Sequence, residues 1–136
     1  MDPYDWLPGY GESRLECYTA GVQLHVLVCY DDLTGGKSLL KRILTFLKVS
    51  TFEYGSAYGP RKSIIEYEID RSTGVRDGQL IEFEKSDVAA AWTKFHNGTR
   101  FTKHFEIYFA GEEKYLRVFA ESWSLSPPEP VGQELT

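Results

Sequence analysis

The sequence predicts an α+β fold, with a mainly antiparallel sheet of five to six strands and two helices on one face. The first observation is a period-two alternation of apolar and polar residues, which indicates strands with one buried and one solvent-facing side. The second is a pair of segments with apolar residues at helical spacing. In chain order these segments give β-β-α-β-β-α-β-β, and the two helices are expected to cover the apolar face of the sheet.

The composition is that of a globular protein with an acidic surface. The chain has 136 residues, of which 42% are hydrophobic and 15% aromatic, and its net charge is −5. A domain of this size can bury a core without disulfides or metals. The negative charge argues against nucleic acid and against an anionic membrane as partners, because both repel acids. It does not exclude a basic protein.

Three parts are expected along the chain. Residues 1–13 are rich in Pro, Gly and Tyr and are predicted to form an irregular arm, and residues 14–125 are predicted to form a single α+β domain. Residues 126–136 have few apolar side chains and are predicted to be a disordered tail. The first residues are acidic and polar, unlike a signal peptide, and no apolar run approaches the roughly 20 residues of a membrane helix.

The two cysteines are predicted to be free thiols. Strands at 14–19 and 22–30 form a hairpin around Ala20-Gly21 in this interpretation, and Cys17 then faces Leu24. The two sulfur atoms lie on opposite faces and too far apart for a disulfide. Free thiols favour a reducing compartment, most simply the cytoplasm.

Two helices are predicted. The first covers 39–48, where leucine, isoleucine and phenylalanine form a broad stripe opposite basic residues. The second is capped by Ser86 or Asp87 and continues through His96, with Asn97-Gly98 as its stop. Its apolar residues Val88, Ala89, Trp92 and Phe95 lie on one side.

The remaining segments are predicted strands. A short strand at 49–54 follows the first helix, strands at 63–70 and 79–84 flank an eight-residue connection, and strands at 101–109 and 114–123 end the domain. The inner β-α-β-β-α-β order is similar to the ferredoxin-like split βαβ arrangement. That topology would take both neighbours of the 22–30 strand and exclude its hairpin with 14–19. The alternative is a mainly antiparallel sheet.

The last hairpin has one register that matches apolar to apolar residues. Phe105 pairs with Val118 and Ile107 pairs with Leu116, which leaves 110–113 as a four-residue loop. The same register sets Glu106 opposite Arg117, Tyr108 opposite Tyr115 and His104 opposite Phe119. The Glu106–Arg117 pair was not used to choose the register, and it supports the register independently because opposite charges face each other.

The solvent-facing side of the predicted sheet is acidic and aromatic, and we interpret it as a docking surface for a basic protein partner. Its predicted partner-binding residues are Glu66, Glu68, Glu82, Glu84, His104, Glu106, Tyr108, Tyr115, Arg117 and Phe119. Aromatic residues and an arginine among acids are typical of interface hot spots. Bacterial toxin-neutralising proteins, such as immunity proteins and antitoxins, are an analogy for this character. The alternative for the acids is a merely solubilising surface.

No cofactor or metal is predicted, and the chain is interpreted as a binding protein rather than an enzyme. The histidines, His25, His96 and His104, have no metal-ligand spacing with each other or with the cysteines. The alternative function is a ferredoxin-like enzyme or small-ligand-binding protein. Its pocket would lie near His104, Tyr108 and Trp92.

Overall fold

The described part of the chain folds into two antiparallel sheets and one short helix. The structure, a computed structural model, describes residues 12–31, 39–56, 80–109 and 114–131. In chain order the elements are β1 Glu12–Ala20, β2 Gln23–Asp31, β3 Leu39–Leu47, β4 Thr51–Ser56, β5 Ile81–Phe83, α1 Asp87–Phe95, β6 Lys103–Phe109, β7 Lys114–Ala120, β8 Ser122–Leu125 and β9 Glu129–Pro130. The predicted arm covered 1–13, and its last two residues, Glu12 and Ser13, instead begin β1. The rest of the arm, 1–11, and the predicted strand at 63–70 lie outside the described residues.

The strands divide between two sheets instead of forming one. The first sheet has the order β1-β2-β3-β8, with β9 also paired to β3, and the second has the order β4-β7-β6-β5. All pairings among the described strands are antiparallel. The mainly antiparallel, α+β-like character predicted from the sequence is therefore confirmed.

The segment predicted as the first helix is a strand. Leu39–Leu47 forms β3 and pairs with β2 along its whole length. The helix-like spacing arises because both faces of β3 carry apolar residues. Leu44 and Phe46 are fully buried in the core, whereas Ile43 and Leu47 on the opposite face are half-buried. The predicted helix over 39–48 is wrong, and the ferredoxin-like order that depended on it is not obtained.

β1 and β2 form the predicted hairpin, with its turn one residue later than expected. The turn is Gly21-Val22, and Gly21 has φ +60°, which glycine adopts without steric cost. Moving a two-residue turn by one position moves every cross-strand partner by two, so Cys17 lies opposite Val26 and not opposite Leu24. The prediction of two free thiols on opposite faces is confirmed, since Cys17 and Cys29 are both unbridged.

The hydrophobic core lies between the two sheets. β2 and β3 contribute Leu24, Val26, Val28, Leu44 and Phe46 to it, and β6 and β7 contribute Phe105, Ile107, Phe109, Leu116 and Val118. The rings of Phe46 and Phe105 meet across the sheets with centroids 5.7 Å apart. Each such buried side chain stabilises the fold by about 1.5–3 kcal/mol relative to an exposed one.

The predicted register of the last hairpin is confirmed in every pair. Phe105 lies opposite Val118 and Ile107 opposite Leu116, all four at most 1% exposed. Glu106 therefore lies opposite Arg117. The predicted loop at 110–113 lies outside the described residues.

The chain passes from one sheet to the other at two adjacent corners. After β3, Lys48 takes φ +53°, and the chain turns into β4; after β7, Glu121 separates β7 from β8, where one long strand was predicted. The corners are joined by a backbone hydrogen bond from Glu121 N to Leu47 O and by a 3.3 Å ion pair between Lys48 and Glu121. Such bends let one strand serve both layers.

The chain remains part of the first sheet beyond residue 125. Ser126 Oγ accepts a hydrogen bond from Ile43 N at 2.7 Å, and β9 pairs with β3. Val131 N donates to Leu39 O. Residues 126–131 are therefore ordered, unlike the disordered tail expected over 126–136, because backbone groups of β3 are available to pair with them. The remainder of the predicted tail, 132–136, lies outside the described residues.

α1 begins and ends at the predicted residues. Ser86 is its N-cap and accepts a hydrogen bond from Ala89 N at 3.2 Å. Asn97 and Gly98 follow with φ +53° and +77°, the left-handed conformation that ends a helix. Of the helix residues only Ala89 is buried, so the predicted apolar side of α1 does not cover the sheet.

Candidate functional site

The candidate site lies on the outer face of the second sheet, where the register aligns side chains in rows across four strands. One row holds Phe83, His104, Phe119 and Thr51, and the next holds Ile81, Glu106, Arg117 and Glu53. These rows bring together four of the predicted partner-binding residues, namely His104, Glu106, Arg117 and Phe119.

The centre of this face is buried, contrary to the prediction of a solvent-facing surface. Glu106 is 2% exposed and Phe119 is 6% exposed. The side chain of His104 is only 14% exposed. Alternation separated the core-facing side of β6 and β7 from their outer side correctly, but the polarity of Glu106 did not indicate that its side chain is buried. Glu106 can be buried because its charge is compensated locally.

The compensation comes from Arg117, which also contacts a second acid. Arg117 Nε donates to Glu106 Oε1 at 2.6 Å, and Arg117 Nη1 donates to Glu53 Oε2 at 3.1 Å. The hydroxyl of Tyr115 donates to Glu53 Oε1. Glu53 has a 56% exposed side chain and was not predicted as part of the site, because nothing in the sequence indicated that β4 would pair with β7.

His104 has neighbours on both faces of its ring and at both ring nitrogens. Its ring lies between those of Phe83 and Phe119, with centroid distances of 4.4 and 4.5 Å. Nδ1 is 2.9 Å from Ser86 Oγ, and Nε2 is 3.6 Å from Glu106 Oε2. Ser86 Oγ also accepts a hydrogen bond from Ala89 N, so this hydroxyl connects the start of α1 to the imidazole ring. Among the described residues, Nε2 is buried and has no hydrogen-bond partner, and Glu106 Oε2 is the carboxylate oxygen that lies beside it.

These contacts form a continuous chain of polar side chains across the sheet, which we call the polar chain. Its members, in order, are Tyr115, Glu53, Arg117, Glu106, His104 and Ser86. The register of the last hairpin predicted the centre of this chain, Glu106 and Arg117. Ser86 was not predicted as a partner of His104, because a helix cap was sufficient to explain that serine.

The exposed acids Glu82 and Glu84 do not share the face of Glu106. Glu82 pairs with Phe105, so Ile81 and Phe83 are the residues on the outer face. The grouping of Glu82 and Glu84 with Glu106 on one face is therefore wrong. Phe83 is buried against His104, which explains why that side of β5 is apolar. The predicted acids Glu66 and Glu68 lie outside the described residues.

A cleft between β5 and α1 brings Glu82 and Glu84 next to His104. Its volume is about 240 Å³. Polar residues that line it include Glu82, Glu84, Ser86, Thr93, Lys103 and His104, and Phe101 lies beside them with 68% of its surface exposed. Thr93 Oγ1 accepts a hydrogen bond from Thr102 N at 3.0 Å, which ties α1 to the start of β6. Three of the predicted partner-binding residues, Glu82, Glu84 and His104, therefore line the same cleft.

The alternative pocket near His104, Tyr108 and Trp92 is not assembled among the described residues. His104 lines the cleft between β5 and α1, whereas Trp92 lines a separate groove on the outer side of α1. Tyr108 pairs with Tyr115 through the backbone, and its side chain lies outside the described part.

The thiols are poorly suited to nucleophilic chemistry. Burial raises the pKa of Cys17 from 9.0 to about 12, and burial is also the main cause of the raised pKa of Cys29. A thiol with a raised pKa has little of the thiolate form that reacts. Among the described residues no group of three His, Cys, Asp or Glu side chains could hold a metal ion. None of the described helices has the length and apolar character to cross a membrane.

Comparison of the chain with protein-family models, with curated proteins and with solved structures finds no match. The candidate site is therefore defined by its geometry.

Proposed function

We propose that this chain is a small protein-binding domain that docks a basic partner, and that a cationic side chain of the partner enters the cleft between β5 and α1. The observation that carries the proposal is the pair of exposed carboxylates, Glu82 and Glu84, at a cleft of about 240 Å³ with the exposed ring of Phe101 beside it. This replaces docking on the open sheet face, where Glu106 is buried.

The cleft offers what a lysine or arginine side chain requires. Two carboxylates, Glu82 and Glu84, are opposed by one lining cation, Lys103, so the lining retains a negative charge. An arginine can bind carboxylate oxygens in a bidentate way. Phe101 is placed to contact the cation through its ring face, an interaction of about 0.5–1 kcal/mol at an exposed site.

The polar chain supports the floor of the cleft. His104 lines the cleft and is fixed by Ser86, Phe83 and Phe119, and Glu106 and Arg117 lie behind it. Side chains that are already held in one rotamer lose little entropy on binding. In this proposal Glu106 and Arg117 hold His104 in place from behind and do not contact the partner, whereas His104 and Ser86 line the cleft.

The free thiols and the acidic surface support a proposal for where the protein acts and what kind of partner it binds. The protein acts in the cytoplasm, where its two free thiols stay reduced, and it uses no cofactor and catalyses no reaction. Its character is that of a toxin-neutralising protein, in which an acidic surface covers a basic one. Electrostatic steering would speed the encounter with such a partner.

The proposal is tested by NMR titration with a short glycine-serine peptide that carries two arginines. We expect chemical-shift changes confined to residues 80–104, and we expect the Glu82→Gln/Glu84→Gln variant to lose them. Glu16→Gln/Glu129→Gln removes the same charge from two exposed positions on the first sheet and is the matched control. Equal shifts in both variants, or shifts spread over both sheets, would show that the acids only solubilise the protein.

One observation favours a second candidate function, a small-ligand or hydrolase site in the same cleft. Ser86, His104 and Glu106 follow one another in the order of nucleophile, base and orienting acid. Ser86 is already engaged as the helix cap, which favours ligand binding over catalysis.

Treatment with a fluorophosphonate tests the catalytic form, because a phosphonylated Ser86 gains mass. Ser86→Asp keeps a capping side chain and cannot react in this way. An unmodified wild-type protein would exclude an activated serine.

A further inference from the structure

The solvent-facing side of α1 is apolar, which is unusual for a surface helix. Val88, Ala91, Trp92 and Phe95 follow the i, i+3, i+4, i+7 spacing of a single stripe. Val88 is 50% and Phe95 is 71% exposed, and these four side chains line a groove of about 450 Å³ together with Asp87. A contiguous exposed apolar surface marks an interaction site.

The stripe is complementary in shape to the same stripe on a second helix that runs in the opposite direction. If a second α1 runs antiparallel against it, the two-fold axis falls between Ala91 and Trp92. Ala91 of each copy then lies opposite Trp92 of the other, so the smallest residue of the stripe accommodates the largest. Val88 lies opposite Phe95 in the same arrangement. Helices that pack closely need such alternation of small and large side chains.

The charges on the flank of the stripe are complementary in the same arrangement. Asp87 begins α1 and Lys94 lies in its last turn, and on a helical wheel both fall on one flank of the stripe. A two-fold axis perpendicular to the helix brings this flank against the same flank of the other copy. Asp87 of each copy then lies beside Lys94 of the other. Within the described part of the chain, neither residue has an ion-pair partner.

We propose that α1 is the interface of a symmetric homodimer, formed by antiparallel packing of α1 against α1 of a second copy. A two-fold interface must be self-complementary, and this stripe satisfies the requirement in both shape and charge. The antiparallel orientation also opposes the two helix dipoles. The inference is independent of the cleft between β5 and α1, which lies on the other side of the helix.

The dimer is expected to be weak. A helix of nine residues is only about 14 Å long, so the contact is smaller than the roughly 800 Å² per partner of a standard stable interface. Association should therefore depend on concentration.

The test is sedimentation velocity on the full chain from about 1 µM to about 1 mM, the range that a weak interface requires. We expect the wild type to shift from monomer to dimer over this range. Val88→Ser should abolish the shift, and Val22→Ser, at a valine of almost equal exposure in the β1–β2 turn, should not. Circular dichroism confirms that each variant is folded.

A charge exchange makes the test specific for the antiparallel geometry. Asp87→Lys places lysine beside lysine in a homodimer, and Lys94→Asp places aspartate beside aspartate, so each variant alone should be monomeric. An equimolar mixture of the two variants restores two opposite-charge pairs between unlike copies and should form a heterodimer. A monomeric wild type throughout the range, or a mixture that stays monomeric while the wild type dimerises, would overturn the proposal. A monomer whose binding to a different protein is lost in Val88→Ser would likewise overturn self-association.

Discussion

Glu106 and Arg117 face each other across β6 and β7, and the guanidinium Nε donates to the carboxylate at 2.6 Å. The two side chains are unequally accessible, with 2% of Glu106 and 25% of Arg117 exposed. An exposed cross-strand pair of opposite charge contributes about 0.2–1 kcal/mol. Removal of Arg117 is expected to cost more than this, because Glu106 is buried and would be left as a carboxylate without compensation away from water.

Arg117→Met should therefore lower the free energy of unfolding by about 3 kcal/mol, near the lower end for breaking a buried pair, since water reaches part of the site. Glu53→Gln removes the exposed acid of the same group and should cost less than about 1 kcal/mol. Urea denaturation measures both. A similar small loss in the two variants would contradict the account of Glu106 as a buried charge.

Two phenylalanines only four residues apart are expected to contribute very differently to the free energy of unfolding, because only one of them lies in the core. Phe105 is 1% exposed between the sheets, and Phe101 is 68% exposed. Phe105→Ala should cost about 3–5 kcal/mol through lost burial and a residual cavity. Phe101→Ala should stay within about 0.5 kcal/mol. Thermal unfolding of the two variants checks this, and equal melting temperatures would show that the β6 register is wrong.

Ser86 is expected to stabilise the start of α1 through its hydroxyl oxygen. Ser86→Ala removes the acceptor for Ala89 N and the partner of His104 Nδ1, and should cost about 1–2 kcal/mol. Ser86→Asp restores a capping acceptor and should recover most of the loss. Chemical denaturation with a helix-sensitive signal measures the difference. Equal stability of all three proteins would exclude the cap.

Cys17 predicts a dependence of stability on alkaline pH. The folded state keeps the thiol proton until its pKa of about 12, whereas the unfolded chain releases it near 9.0. Between these values the unfolded state binds fewer protons, so the free energy of unfolding falls as pH rises, and below this window Cys17 contributes nothing to the dependence. In Cys17→Ala the decline should be shallower, by up to about 1.4 kcal/mol per pH unit. Parallel stability curves for the two proteins would contradict the burial of this thiol.

The register of the last hairpin could be predicted for every pair, because the apolar residues of its two strands match in only one alignment. Phe105 and Ile107 had to meet Val118 and Leu116, and a slip of one position would have buried Arg117 among them. The cap and stop of α1 were equally local, since Ser86 and Gly98 act through their own backbone neighbourhood.

β3 could not be recognised from its own residues. Ile43 and Leu47 are half-buried on one face and Leu44 and Phe46 are buried on the other, so the alternation that distinguishes a strand is absent. A short apolar run of this kind fits a helix or a strand equally well. Pairing with β2 on one side and β8 on the other decides between them, and such long-range pairing is not present in local sequence.

The centre of the candidate site could be predicted, but neither its outer members Glu53 and Ser86 nor the exposure of its side chains to solvent could be. The register placed Glu106 beside Arg117, yet polarity alone suggested that Glu106 faced water. Glu82 was grouped with Glu106 because both alternate with apolar residues. The pairing of Glu82 with Phe105 puts it on the other face. Which side of β5 is covered depends on His104, whose ring packs against Phe83 through a tertiary contact.

The most direct test of the central claim, that the cleft accepts a cationic side chain, compares two peptides that differ in one charge. A glycine-serine peptide with a single arginine is titrated against the same peptide with citrulline, which keeps the shape and loses the charge. NMR should show saturable shifts at Glu82, Glu84 and Phe101 with arginine only, weakening as salt approaches about 0.5 M because screening shortens the reach of the carboxylates. Equal binding of the citrulline peptide, or shifts that leave these three residues unchanged, would contradict the account.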